Sequence, residues 1–269
     1  MIAKVFLALT SCAPWLKRAA WRWWYQRLAG NYRGQDWKFM NYGYEPELKS
    51  TLTLSAEDES DRLFIQLYAK ALEGVDTHGK TLLEVGSGRG GGASFVARYL
   101  APQAVTGMDY SANAVQLSER LHKAPNLVYR CGSAEEIPFG DGIFDIVYNV
   151  ESSHCYGDTA KFFSEAHRVL KPAGFFCWVD FRSPKLMEEE HQRMRNAGFE
   201  MASDEEITPC VVRALDLIHG RKMEVISQKV PGFLRNSFAQ FAGVQGSEIY
   251  ELLKKRELVY HATRCRKRS

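Results

Sequence analysis

Between residues 58 and 182 the apolar positions change period again and again. In 58–72, Leu63, Leu67 and Ala71 form one stripe with Phe64, Tyr68 and Leu72 beside it, which predicts a helix opened by Ser55 or Asp58 as cap. Short apolar runs predict strands at 81–85, 104–108, 126–130, 144–150 and 175–180. Segments 93–100, 112–121 and 159–170 between them read as helices. Strand and helix alternate at spacings that need crossover connections, so an α/β fold follows: a doubly wound, mainly parallel sheet with helices on both faces. Near the end, a helix at 247–256 precedes one more strand at 258–263.

Four zones differ in character. Residues 1–54 are aromatic and basic, a lid segment. Residues 55–182 hold the alternating core, and 183–245 read as a helical insertion capping the substrate. Residues 246–269 complete the core sheet with a helix and a strand.

Composition narrows the class. The chain has 269 residues, 45% apolar and 25% charged, as expected of a globular protein with a sizeable core. A net charge of +3 is too small to imply a nucleic-acid partner. The six cysteines form no CxxC unit, so no zinc ligand set is expected, and scattered thiols point to a cytoplasmic protein. Val5–Leu9 behind Lys4 is too short for a secretory signal, and no apolar stretch approaches the ~20 residues of a membrane span.

One segment between a strand and a helix carries chemistry: Glu84-Val85-Gly86-Ser87-Gly88-Arg89-Gly90-Gly91. Glycines there permit a tight turn and let a ligand approach the backbone beside a helix N-terminus. The acid two residues before the first glycine is awkward beside a pyrophosphate but useful beside a cationic amino acid. Asp109, 21 residues after Gly88, ends the second strand, where a carboxylate can accept both ribose hydroxyls.

Five ordered segments resemble the class I S-adenosylmethionine-dependent methyltransferases: 83–88, 107–111, 134–139, 144–147 and 168–174. The stretch Asn149-Val150-Glu151-Ser152-Ser153-His154-Cys155-Tyr156, with 39–44 and 244–246, is further similar to the phthiotriol/phenolphthiotriol dimycocerosate methyltransferases, which O-methylate long-chain lipid or polyketide alcohols. The resemblance implies a seven-stranded Rossmann-like sheet and S-adenosylmethionine as cofactor, leaving as S-adenosylhomocysteine. It implies that Glu84, Gly86, Ser87 and Gly88 line the methionine end and that Asp109 holds the ribose. Tyr110 would lie against the adenine, Ser133, Ala134 and Glu135 at its edge, and Asn149 under the cofactor. Two departures stand out. Ser133 occupies a place where the family often has an acid, and Ala173 replaces a usual glycine before Gly174, an exchange expected to carry little penalty.

Methyl transfer to an alcohol needs an aligned acceptor and a base. His154 follows the fourth strand at the carboxyl edge, with an ordinary pKa suited to neutral pH. Asp180 ends the next strand and is expected to orient the ring or share the proton. No metal is expected in the reaction, although Glu151 and Asp180 sit at the rim where some related sugar methyltransferases hold magnesium. His167 and His191 read as surface or packing residues. N- or C-methylation, or cofactor binding without methyl transfer as in a pericyclase, are the alternatives.

Trp15, Trp21, Trp23, Trp24, Tyr25 and Trp37 lie among Lys17, Arg18, Arg22, Arg27 and Arg33. Two readings stand: a helical lid over a greasy acceptor pocket, or peripheral contact of residues 1–30 with the inner face of a membrane. The expected substrate is small and lipophilic, and the oligomeric state stays open.

Overall fold

A computed structural model describes residues 38–48, 50–230, 232 and 235–268. The tryptophan-rich segment before residue 38, with both readings of it, lies outside these described residues. Among them, no helix is long and apolar enough to cross a membrane.

Seven strands form one sheet in the order β3-β2-β1-β4-β5-β7-β6. They are β1 (Thr81–Val85), β2 (Ala104–Asp109), β3 (Leu127–Cys131), β4 (Phe144–Val150), β5 (Leu170–Arg182), β6 (Phe199–Glu206) and β7 (Val259–Lys267). β1 to β5 run parallel, and β7 lies antiparallel between β5 and β6. The helices are α1 (Arg62–Ala71), α2 (Gly91–Tyr99), α3 (Ala112–Leu121), α4 (Thr159–Val169), α5 (Pro184–Asn196), α6 (Thr208–Lys229), α7 (Arg235–Phe241) and α8 (Glu248–Lys254).

Each sheet face is buried under its own helices, as the near-continuous apolar runs of parallel strands require. One core joins Ile65 and Leu67 of α1, Phe95 of α2, Val115 of α3 and Val211 and Leu215 of α6. The opposite core joins Phe162 and Phe163 of α4, Met187 and Met194 of α5, and Phe176 and Trp178 of β5. The strand order reverses at β1 and β4, and open α/β sheets bind ligands at such a switch point, beyond the carboxyl ends of the strands.

Three local expectations change. The insertion read as helical also contains β6. Its burial largely alternates and its second half, Ser203-Asp204-Glu205-Glu206, is acidic, as suits a strand whose outer edge has no pairing neighbour. Neither Ser55 nor Asp58 caps α1. Asp58 is buried instead and accepts from Arg98 at 2.6 Å and from the Tyr99 hydroxyl at 2.6 Å. Ala173 stands at φ 60°, the left-handed region. A Cβ there costs about 1–2 kcal/mol, more than the roughly 0.4–1 kcal/mol that alanine returns by restricting the unfolded chain. Ala173→Gly is therefore expected to stabilise the protein by about 0.5–1 kcal/mol, read as a rise in the urea midpoint. An unchanged or lower midpoint would show that the turn holds alanine without strain.

Candidate active site

The glycine turn closes the carboxyl end of β1. Gly86, Gly88 and Gly90 all have positive φ (80°, 53° and 81°). The amides of Gly86 and Ser87 both donate to the Met108 carbonyl, which ties the turn to β2. A Cβ at residue 86 would stand 2.2 Å from Ser152 Oγ, and one at residue 92 would stand 2.1 Å from the Tyr68 ring. Above Gly88 the nearest atom to such a Cβ is Met40 Sδ at 3.8 Å. The turn is thus packed by protein everywhere except over its second glycine, where a ligand has room.

Asp109 reaches across from β2. Its Oδ2 accepts from the Gly88 amide at 2.8 Å and its Oδ1 from the Ser111 amide at 2.8 Å. Burial raises its carboxyl to about 6 against those two amides. Asn149, fully buried at the end of β4, donates Nδ2 to the Val85 carbonyl at 2.8 Å. That acceptor fixes the orientation of the amide. Asn149 Oδ1 and Ser87 Oγ are buried without hydrogen-bond partners among the described residues.

Two predicted cofactor residues also make contacts within the protein. Glu84 is fully buried beneath the turn, beside Tyr68 and Tyr148, and burial raises its carboxyl to about 8. Glu135 Oε1 accepts from the amides of Gly157 (2.9 Å) and Asp158 (3.3 Å), bracing the loop before α4. Ser133 Oγ accepts from the Glu135 amide at 3.2 Å, Ala134 is nearly buried, and Tyr110 is 54% exposed beyond Asp109.

The expected pair of His154 and Asp180 does come together. His154 sits in a 3-10 turn, Ser153–Cys155, after β4. Its Nδ1 lies 2.8 Å from Asp180 Oδ1, and its amide donates to Asp180 Oδ2 at 3.0 Å. Ser153 Oγ also donates to Oδ2 at 2.6 Å, and Arg182 stands 3.2 Å from Oδ1. Burial alone would raise the Asp180 carboxyl, but Arg182, His154 and Ser153 hold it well below the usual range. Asp180 thus favours its ionised form beside the His154 ring. Burial disfavours the His154 imidazolium, yet Cys155 and Asp180 outweigh it and raise the ring to about 10.

Glu151, just past β4, has φ 48°, a strained conformation of the kind that clusters at functional sites. That backbone turns its carboxylate onto the Tyr42 amide at 2.9 Å. Beside it, Phe181 lies 4.7 Å from the His154 ring, 5.9 Å from Tyr42 and 5.1 Å from Tyr260. Pattern reading missed Ser153, Trp178 and Arg182. Ser153 Oγ accepts from Trp178 Nε1 and from Arg182 at 2.9 Å each, and so steers its own proton to Asp180. The available signal was alternation: Trp178, Asp180 and Arg182 share one face of β5.

Comparison with known proteins agrees with this geometry. A family profile described as a methyltransferase domain matches residues 83–178. The phthiotriol/phenolphthiotriol dimycocerosates methyltransferase of Mycobacterium leprae is 34% identical over 255 residues, covering 95% of this chain and 94% of the relative. The chain belongs to this methyltransferase family. The fatty-acid O-methyltransferase of Mycolicibacterium smegmatis is also 34% identical, over 88% of this methyltransferase and 85% of the relative. Geranyl diphosphate C-methyltransferase from Streptomyces coelicolor A3(2), solved with S-adenosyl-L-homocysteine, shares the fold with a TM-score of 0.65. It is 17% identical, over 90% of this chain and 98% of that one. The methyltransferase uses S-adenosylmethionine. Room above Gly88, the Asp109 carboxylate and the orphaned acceptors Asn149 Oδ1 and Ser87 Oγ suit a molecule bearing an ammonium and two ribose hydroxyls.

Proposed function

We propose that the enzyme methylates a hydroxyl oxygen of a lipophilic acceptor, with His154 as general base. The observation that carries this reading is the imidazole held through Nδ1 by a buried, ionised Asp180. That contact fixes the tautomer in which the second ring nitrogen accepts a proton. A carboxylate acceptor is already ionised and has no use for such a pair, whereas an alcohol must lose its proton as the new bond forms. Bound S-adenosylmethionine supplies an electrophilic methyl carbon on a sulfonium. Asp109 would take the ribose hydroxyls, with Gly86, Ser87, Gly88 and Asn149 around the methionine end and Tyr110, Ser133 and Ala134 at the adenine.

Phe181, half-buried against the His154 ring, supports an apolar acceptor, as do the names of the relatives. In the 183–245 cap, Lys222 on α6 crosses the rings of Tyr42 (5.3 Å) and Phe64 (5.9 Å).

The test offers the enzyme a long-chain secondary alcohol and a fatty acid with methyl-labelled cofactor. The expected product is an alkali-stable ether, one methylene unit heavier than the alcohol. Label found only in an alkali-labile ester, or on nitrogen or carbon acceptors, would overturn the reading. So would tight cofactor binding without turnover on any acceptor.

A further inference from the structure

A second convergence of side chains lies outside the methyl-transfer site. His191 of α5, Asp204 of β6 and His261 of β7 each bring one ligand atom within 4.8 Å of the other two. His191 Nε2 is 3.3 Å from Asp204 Oδ1, and His261 Nδ1 is 2.9 Å from Asp204 Oδ2. The antiparallel register creates the meeting. Asp204 pairs with Thr263, and His261 is two residues along the same face of β7. Helix α5 covers that face and delivers His191, which is 5% exposed, with its ring 5.4 Å from that of His261.

We propose that His191, Asp204 and His261 bind one divalent transition-metal ion of the zinc type, which clips α5 to the β6–β7 pair. Two imidazole nitrogens and one carboxylate oxygen form a donor set suited to zinc, cobalt or nickel. Calcium and magnesium would require more oxygens. Tetrahedral zinc, with donors at about 2.0–2.2 Å, needs them about 3.4 Å apart. The observed 3.3 Å and 2.9 Å lie within a small ring movement of that arrangement. Thr263 Oγ1 donates to Asp204 Oδ1 at 2.6 Å and lies 3.3 Å from His191 Nε2, beside the fourth position. Nδ1 of His191 faces Glu188 Oε2 at 4.0 Å, an outer carboxylate of the kind that orients metal-bound histidines. The Asp204 side chain is 23% exposed, so the ion can enter from solvent.

The ion is structural. Trp178 separates it from the reaction centre, with one edge toward His191 and its indole N–H on Ser153. The helix it fastens also carries Glu190, which stands 3.6 Å from Arg182. A protonated imidazole on each side of Asp204 would give similar distances, and metal titration separates the two arrangements.

The experiment strips the full-length protein with a chelator, removes the chelator and titrates zinc chloride by calorimetry. The expected result is one zinc per chain, bound tighter than about 1 µM, with a rise in thermal midpoint. Cobalt alone should give the visible absorption of a tetrahedral site. Asp204→Asn and His261→Asn should each weaken zinc binding at least ~100-fold and leave cofactor affinity unchanged. His191→Gln should abolish the cobalt spectrum. If one variant fails to fold, the other two carry the test. Absence of stoichiometric zinc uptake, or uptake unchanged in the folded variants, would overturn the proposal.

Discussion

Replacing His154 with alanine is expected to lower kcat about 10²–10⁴-fold while cofactor affinity stays unchanged. The ring sits on Asp180 and Phe181, away from the Gly88–Asp109 contact that marks the cofactor cleft. Its loss should therefore appear in turnover and not in binding. The pH profile follows from the raised ring pKa of about 10. Only the neutral imidazole accepts a proton, and at pH 7 that form is roughly one molecule in a thousand. Activity should climb through pH 7 to 9 and level off only near 10. Asp180→Asn removes a charge that stabilises the imidazolium, so the rise should move to lower pH. The amide can also turn its N–H toward Nδ1 and hold the opposite tautomer, so the plateau should fall. His154→Gln should not restore turnover, because an amide cannot usefully take the proton. Near-normal kcat in His154→Ala, or a flat wild-type profile across pH 6 to 9, would remove the base assignment.

The contrast between these residues shows where a sequence is legible. Four of the five parallel strands could be read because the sheet interior buries them and writes them as apolar runs, and edge strand β3 because Leu127, Val128 and Tyr129 still form a short run. β6 could not, since an edge strand with a half-acidic sequence carries no such run. Glycine positions pointed to the turn because few other residues tolerate its positive φ. The shift of Glu84 stayed hidden, since burial raises its carboxyl while Tyr68 and Tyr148, distant in the chain, hold it down by hydrogen bonding. His154 and Asp180 stood out as chemistry-bearing residues at neighbouring strand ends. Ser153 and Arg182, which set the hydrogen bonding of Asp180, look ordinary until the strands pair. The shift of the His154 ring was likewise out of reach, because it comes from groups gathered by folding.

Asp109→Ala should weaken S-adenosylhomocysteine binding more than tenfold. Removing a charged acceptor from two ribose hydroxyls justifies a loss of about 2–3 kcal/mol. The product is the better probe because it binds without turning over. Asp109 also accepts from the Gly88 and Ser111 amides, so the variant loosens the turn as well. A thermal midpoint measured without ligand isolates that part. The carboxyl gives an independent signature in the unmodified enzyme. Its pKa is raised to about 6 by burial, so below that pH the ligand-free protein carries a protonated Asp109. Ribose hydroxyls donate to the ionised form, and binding must then expel the proton. Affinity should thus hold steady above pH 7 and fall as pH drops through 6, with a proton released on binding in that range. The Asp109→Ala protein should lose this pH dependence along with its affinity. Calorimetry showing unchanged affinity in the variant, or no proton release near pH 6 in the wild type, would take Asp109 out of the ribose site.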